Sequence, residues 1–260
     1  MPAVAVTKMH GAYNDFVIMD RRRERLDDPE DFARRVCDRR GGVGADGFIA
    51  IGGRNGKPSM EIFNPDGSRA EVCGNGLCCV ARFLSEAGEG DRFEIATDAG
   101  PVQAAVVEKG ETYRVRIAFA KPAFERRALP FANAAFVSMG NPHVVIFERS
   151  IDAIDLQSAA RELAPLFPNG TNVHVAAPLS EHLLEVRHYE RGVGWTYACG
   201  SGAAACAAAA ISRGLASSPV TVRVPGGELV VAWDGANEVE LTGPAVRVFE
   251  ARLSEMHAAP

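Results

Sequence analysis

The sequence predicts an α/β (α+β) protein built from two similar halves. Two observations carry this reading. Strand-like and helix-like stretches alternate along the chain, and one tetrapeptide pattern, Cys-Gly-x-Gly, occurs at equivalent places in that alternation, at Cys73–Gly76 and Cys199–Gly202.

In the first half, Val4–Thr7 and Phe16–Met19 read as short strands flanking a polar turn, His10–Asp15. Pro29–Arg39 reads as a helix, with Asp27 or Asp28 as its cap and Pro29 in its first position. Phe48–Ile51 and Ser59–Phe63 read as strands, and Cys78–Ala87 as a helix ended by Gly88. Phe93–Ala96, Val102–Val107 and Tyr113–Phe119 follow as strands. In the second half, Phe136–Met139 and Val144–Phe147 are strands, and Leu156–Leu166 is a helix stopped near Pro168. Thr171–Val175 and Leu183–Tyr189 are strands, Ala203–Arg213 is a helix stopped by Gly214, and Val220–Val224, Glu228–Trp233 and Glu238–Thr242 are strands. Periodicity lapses at Lys121–Pro130, the softest boundary.

The repeat extends beyond the tetrapeptide. Nine residues before Cys73 stands Asn64, and nine before Cys199 stands Glu190; each ends a strand and opens a polar, glycine-containing turn. A cysteine at a helix start sits where unpaired N–H groups and the helix dipole favour negative charge, which is expected to lower its pKa. The neighbouring glycines leave those N–H groups open to a bound anion. If both turns serve one amino acid, one thiolate removes the α-proton while the other thiol returns a proton to the opposite face. The two helix starts would then stabilise the charge that develops on the carboxylate.

Bulk properties narrow the alternatives. A net charge of −5, with 47% apolar and 23% charged residues, gives no reason to expect nucleic acid or a membrane as partner. No apolar run is long enough to span a bilayer, and the N-terminal apolar stretch is too short for a signal core, so a cytoplasmic protein with reduced thiols is expected. Pyridoxal phosphate needs a Schiff-base lysine, and none of Lys8, Lys57, Lys109 and Lys121 adjoins a glycine-rich phosphate cradle. No cofactor and no metal is therefore expected. Cys37, Cys78, Cys79 and Cys206 read as small buried hydrophobes. Cys73, Cys78 and Cys79 have poor spacing for zinc; a thiol redox or zinc-binding module is the non-enzymatic alternative. His143 in Gly-Asn-Pro-His, and Asn14, Asn141 and Asn172, could each serve a turn, and Glu190-Arg191 could be a surface ion pair.

Eight segments together resemble the diaminopimelate epimerase family, pyridoxal-independent enzymes that convert L,L- to meso-diaminopimelate. They are Met-His-Gly-Ala-Tyr-Asn-Asp-Phe (9–16), Gly-Gly-Val-Gly-Ala-Asp-Gly (41–47), Ile-Phe-Asn-Pro-Asp-Gly-Ser (62–68), Cys-Gly-Asn-Gly (73–76), Met-Gly-Asn-Pro-His (139–143), Phe-Pro-Asn-Gly-Thr-Asn-Val (167–173), Tyr-Glu-Arg-Gly-Val-Gly (189–194) and Ala-Cys-Gly-Ser-Gly-Ala (198–203). The resemblance implies two pseudo-symmetric domains, each a mainly antiparallel, barrel-like sheet around a central helix, with the active site in the cleft between them. It divides the chain into 1–120 and 121–244, with 245–260 returning to the first domain. By position, Cys73 and Cys199 become the acid/base pair. Gly74, Asn75, Gly200 and Ser201 hold the α-carboxylate; Asn14, Asn64, Asn141, Asn172, Glu190 and Arg191 bind the amino groups and the distal carboxylate; His143 is an accessory polar residue. The implied partner is a small amino-acid substrate, and homodimer formation stays open. Gly47, Leu77-Cys78 and Trp195 depart from common family patterns. Related two-cysteine racemases act on other amino acids, of the histidine or hydroxyproline type. Arg191 favours a substrate with a second carboxylate.

Overall fold

A computed structural model of the protein describes residues 3–254. The chain forms two compact units, the first running to Ile117 and resuming at Pro244, the second spanning Ala118–Gly243. Of the segment expected to return to the first domain, residues 255–260 lie outside the described part.

In the first unit, β1 (Val4–Gly11) and β2 (Asn14–Asp20) form an antiparallel hairpin. The polar turn expected over His10–Asp15 is shorter than its composition suggests. The ladder continues through His10 and Asp15, and the turn is Ala12–Tyr13, both left-handed with φ of 49° and 64°, as a two-residue hairpin turn requires. The helix α1 (Pro29–Val36) is capped by the Asp28 carboxylate, which accepts the Asp31 N–H at 2.9 Å. It stops short of the expected Arg39, with Cys37 as its C-cap.

Next come β3 (Gly47–Arg54), parallel to β2, β4 (Lys57–Phe63), antiparallel to β3, and the two-residue β5 (Arg69–Ala70). The helix α2 (Gly74–Glu86) leads to β6 (Arg92–Thr97), which is parallel to β4. β7 (Gly100–Glu108) and β8 (Tyr113–Ala118) follow as antiparallel neighbours.

The second unit repeats this order. β9 (Ala123–Glu125) pairs with β10 (Ala134–Ser138), and β10 with β11 (Pro142–Phe147). The helix α3 (Leu156–Leu163) begins at an Asp155 cap; a short 3-10 turn at Ala164–Leu166, containing Pro165, replaces its expected last turn. β12 (Asn172–Ser180) is parallel to β11, and β13 (Leu183–Glu190) is antiparallel to β12 and carries β14 (Gly194–Thr196). The helix α4 (Gly200–Ser212) leads to β15 (Val220–Val224), parallel to β13, and then to β16 (Gly227–Ala232).

The final strand, β17 (Glu240–Leu253), starts beside β16 and ends beside β1. It also pairs with β8, so the first unit closes as an eight-stranded ring, β1-β2-β3-β4-β6-β7-β8-β17. Each unit is thus a mainly antiparallel sheet with parallel joints bridged by helices, which bears out the expected fold class.

Within each unit one helix lies outside the sheet and one is enclosed. α1 packs with Phe32, Ala33 and Val36 on Val17, Met19, Phe48 and Ala50, while α3 packs with Leu156, Ala159 and Leu163 on Val144, Ile146, Val173 and Val175. The alternate strand residues face inward. Strands buried on both faces read as unbroken apolar runs, which explains Phe48–Ile51 and Val144–Phe147. α2 is buried at every residue from Gly74 through Arg82, and α4 at every residue from Gly202 through Ala210. An enclosed helix has no solvent face and so no amphipathic period. The alanines of α4 let it fit within its sheet. Among the described residues, no helix is long and apolar enough to cross a membrane.

Candidate active site

The enclosed helices start at the two cysteines. Cys73 and Cys199 are the N-caps of α2 and α4, both in extended backbone conformation (φ −141°, ψ 120° and φ −125°, ψ 109°). Both helices therefore begin earlier than a propensity reading places them, at Gly74 and Gly200. Tertiary enclosure overrides the weak helix preference of Gly-Asn-Gly and Gly-Ser-Gly.

The second glycine of each motif lies close against a neighbouring side chain. A Cβ on Gly76 would stand 2.9 Å from Cδ1 of Ile49; a Cβ on Gly202 would stand 2.6 Å from Cε1 of His174 and 3.1 Å from Cys199 Sγ.

In the first unit, the Cys73 thiol is half-buried and donates to Asn14 Oδ1 at 3.5 Å; the buried Asn75 donates Nδ2 to the same oxygen at 3.3 Å. The Asn14 amide is held from behind, its Nδ2 donating to Asp46 Oδ2 at 3.0 Å. A carboxylate only accepts, so Asp46 forces Oδ1 toward Cys73. Asp46 is itself tied to Arg39 (2.8 Å) and to the backbone N–H of Asp15 (3.2 Å). Burial pushes the Asp15 carboxyl up, but hydrogen bonds from Arg39 and Lys8 outweigh it and hold its pKa at about 2. Asn64 is exposed in its turn and spends its Nδ2 on Ser68 Oγ at 2.9 Å.

In the second unit, Cys199 is buried. Its sulfur accepts the Gly202 N–H at 3.3 Å and lies 3.6 Å from Ser201 Oγ. Burial raises its pKa well above that of an ordinary thiol, and the Glu190 carboxylate beside it raises it further. The lowered pKa expected from the helix start is therefore corrected here. Desolvation and a neighbouring negative charge outweigh the helix dipole.

Glu190 also accepts from Thr196 Oγ1 at 2.6 Å. Asn172 uses both ends of its amide, donating to Pro142 O at 3.0 Å and accepting the Arg191 N–H at 3.0 Å. The Arg191 side chain crosses Gly170, where a Cβ would stand 2.8 Å from its Cδ, and donates to Asn169 O while its guanidinium stays exposed.

His143 is buried and bonded at both nitrogens, Nε2 to Asn141 Oδ1 at 2.8 Å and Nδ1 to His174 Nε2 at 2.9 Å. A third buried ring continues the line, with His188 Nδ1 2.8 Å from His174 Nδ1. Burial first, with the other charges nearby, holds His143 at about 3; burial also keeps His174 well below its usual value and His188 at about 3. All three are neutral near neutral pH.

The structure thus brings Asn14, Cys73 and Asn75 together in the first unit. In the second it groups Cys199 with Ser201 and Glu190, Asn172 with Arg191, and Asn141 with His143. Asp46, His174 and His188 were missed by the sequence reading. The available signal for the histidines was their place at buried positions, His174 among the apolar residues of β12 and His188 in alternation with Leu184 and Val186 on β13. Among the described residues, no group of three or more His, Cys, Asp or Glu side chains is arranged to hold a metal ion.

A sequence model of a family described as diaminopimelate epimerase matches residues 6–122 and 135–248. A protein named diaminopimelate epimerase from Pelotomaculum thermopropionicum is 39% identical over 94% of this chain and 96% of its own length. One of the same name from Desulforudis audaxviator is 40% identical over 95% and 98%. Among solved structures, a PhzF-family phenazine biosynthesis protein of Bacillus anthracis superposes with a TM-score of 0.77 at 18% identity, covering 97% of this chain and 99% of that one. A hydroxyproline epimerase of Agrobacterium vitis, with bound trans-4-hydroxy-L-proline, superposes with a TM-score of 0.69 at 13% identity, covering 97% and 91%. At such identities these two share the fold.

Proposed function

The chain belongs to the diaminopimelate epimerase family, isomerases of amino acids, and from that premise we propose that it interconverts L,L- and meso-diaminopimelate for lysine and peptidoglycan precursor synthesis, with Cys73 and Cys199 as the two acid/base groups. The observation that carries the reading is the duplicated helix start, with a cysteine as N-cap of an enclosed helix in each unit.

The chemistry follows from what each start offers. Removing the α-proton moves charge onto the substrate carboxylate, and N–H groups at Gly74, Asn75, Gly200 and Ser201 supply donors for that charge without reorganisation. Cys199, kept protonated by burial and by Glu190, is suited to return a proton. The Gly202 N–H then supports the sulfur left behind. For that direction Cys73 is the base: its half-buried thiol first releases to solvent the proton it donates to Asn14 Oδ1 at rest, and the thiolate then takes the α-proton. For the reverse direction the roles exchange. Arg191, with its exposed fork, suits the distal carboxylate.

Hydrogen–deuterium exchange at the α-carbon in heavy water tests the reading, with diaminopimelate isomers, histidine, proline and hydroxyproline as the panel. Exchange and inversion of diaminopimelate, abolished in both Cys73→Ala and Cys199→Ala, are expected. Near wild-type inversion by either variant would end the two-base proposal, and preferential turnover of hydroxyproline would replace the substrate.

A further inference from the structure

We infer that His174 and His188 are positioning residues. Through His143 they fix the Asn141 amide so that its N–H donors, not its oxygen, face the ligand, and the contact Asn141 makes is to a carboxylate. This rests on the proposed function for the ligand's identity, but not for the direction of the chain itself.

The rings form one line: Asn141 Oδ1, His143 Nε2 and Nδ1, His174 Nε2 and Nδ1, His188 Nδ1. Each neutral imidazole has one donor and one acceptor nitrogen, so the line points one way or the other as a whole. In one direction His188 Nδ1–H donates to His174, His174 Nε2–H donates to His143, and His143 Nε2–H donates to Asn141 Oδ1. The far end is then a bare lone pair on His188 Nε2, a fully buried atom without a partner among the described residues. In the other direction that atom carries an orphaned buried N–H. A buried N–H without an acceptor is the rarer and costlier defect. The line therefore runs from His188 to Asn141, the amide oxygen is consumed, and both Nδ2 hydrogens remain to be offered.

The first unit shows that the fold does not require these rings. Strand register places Phe16, Ile49 and Ile62 where the second unit has His143, His174 and His188: Ile49 pairs with Ile62 as His174 pairs with His188, and Phe16 lies opposite Gly47 as His143 lies opposite Asn172. Ile49 approaches Gly76 as His174 approaches Gly202. In the same correspondence Asn14 matches Asn141. Asp46 takes the Asn14 donor end, leaving its oxygen inward, whereas His143 takes the Asn141 oxygen. One scaffold thus holds two equivalent asparagines with opposite polarity.

The test uses the full chain with 15N-labelled histidine. Long-range proton–nitrogen spectra at neutral pH are expected to show three neutral rings, protonated at Nε2 in His143 and His174 and at Nδ1 in His188. The opposite tautomers overturn the inference whatever the enzyme turns over. His174→Gln keeps a donor near the Nε2 position and should retain the His143 tautomer and the KM for diaminopimelate. His174→Leu removes it and should raise KM about tenfold, with a smaller change in kcat. Equal KM in the Gln and Leu variants, with wild-type spectra as expected, refutes the link to Asn141. Lack of turnover by the wild type alongside the expected tautomers would count against the proposed substrate, not the chain direction; binding of a dicarboxylate, weakened by His174→Leu but not by His174→Gln, would then decide the link.

Discussion

Alanine at the second glycine of each Cys-Gly-x-Gly motif should have opposite consequences in the two units. At Gly76 the new Cβ meets Cδ1 of Ile49 at 2.9 Å, the end of a flexible side chain that can rotate away. The overlap then costs little, and the gain in helix propensity over glycine, up to about 1 kcal/mol, offsets it. At Gly202 the Cβ meets Cε1 of His174 at 2.6 Å and Nε2 at 3.0 Å. That ring is held at both nitrogens, at 2.9 and 2.8 Å, so it cannot yield without losing a buried hydrogen bond. Overpacking a rigid site costs about 1–3 kcal/mol, and a strained or lost hydrogen bond adds about 1 kcal/mol. After the same propensity gain, Gly202→Ala should be less stable than Gly76→Ala by about 2 kcal/mol, or roughly 4–8 °C in Tm at this chain length. Urea and thermal unfolding followed by circular dichroism measure the difference. Equal costs, or a greater cost at Gly76, would refute the account of the ring as a fixed wall.

Arg191→Lys keeps the charge but loses the planar fork, and should raise KM for diaminopimelate by roughly tenfold or more; an unchanged KM in steady-state assays would put Arg191 outside the ligand contacts. The three neutral rings make the protein acid-labile. Their folded pKa values lie below the usual 6.5, near 3 for His143 and His188, so the unfolded chain binds more protons and stability falls as pH drops from about 6.5 toward 3. His188→Leu should make that decline shallower by one proton, read from urea midpoints between pH 7 and 5. Asp15 has the opposite origin but the same sign: its pKa is held at about 2 rather than 3.8, so its contribution is full above 3.8 and is lost as pH falls toward 2. Asp15→Asn should cost about 2 kcal/mol at neutral pH, and much less when unfolding is measured near pH 2.5.

The features that were legible in the sequence are those with a local cause. The start of α1 is written in Asp28-Pro29, and the two-sided burial of β3 and β11 in unbroken apolar runs. The cysteine turns were legible because they repeat. Propensity misses the early start of α2, since Gly74-Asn75-Gly76 argues locally for a turn and only enclosure makes it helical; the repeat alone points to a helix start at Cys73. β9 and β14, at three residues each, are too short to show a period. Asp46 and the two further histidines were hidden for a different reason. Their partners lie 32, 31 and 14 positions away along the chain, and strand register alone brings them together. Cys199 shows the limit of motif chemistry: the helix start predicts a lowered pKa, but burial and Glu190 reverse the sign.

On the proposed reaction, the pattern of what is duplicated and what is not has a chemical logic. The α-carboxylate is common to both directions of proton transfer, so each unit needs a proton carrier and N–H donors at a helix start, and these repeat as Cys-Gly-x-Gly. The ammonium and the side chain of the substrate have no mirror counterpart, so the surrounding residues are free to diverge. Asn64 becomes Glu190, an exposed amide replaced by a carboxylate that acts on the neighbouring thiol. Phe16, Ile49 and Ile62 become three hydrogen-bonded histidines. An amide held by an aspartate is matched by one held by an imidazole, with its polarity reversed. A homodimer of identical sites could not make that distinction without a second gene; a duplicated chain makes it residue by residue, at positions where the packing accepts either an apolar or a hydrogen-bonded side chain.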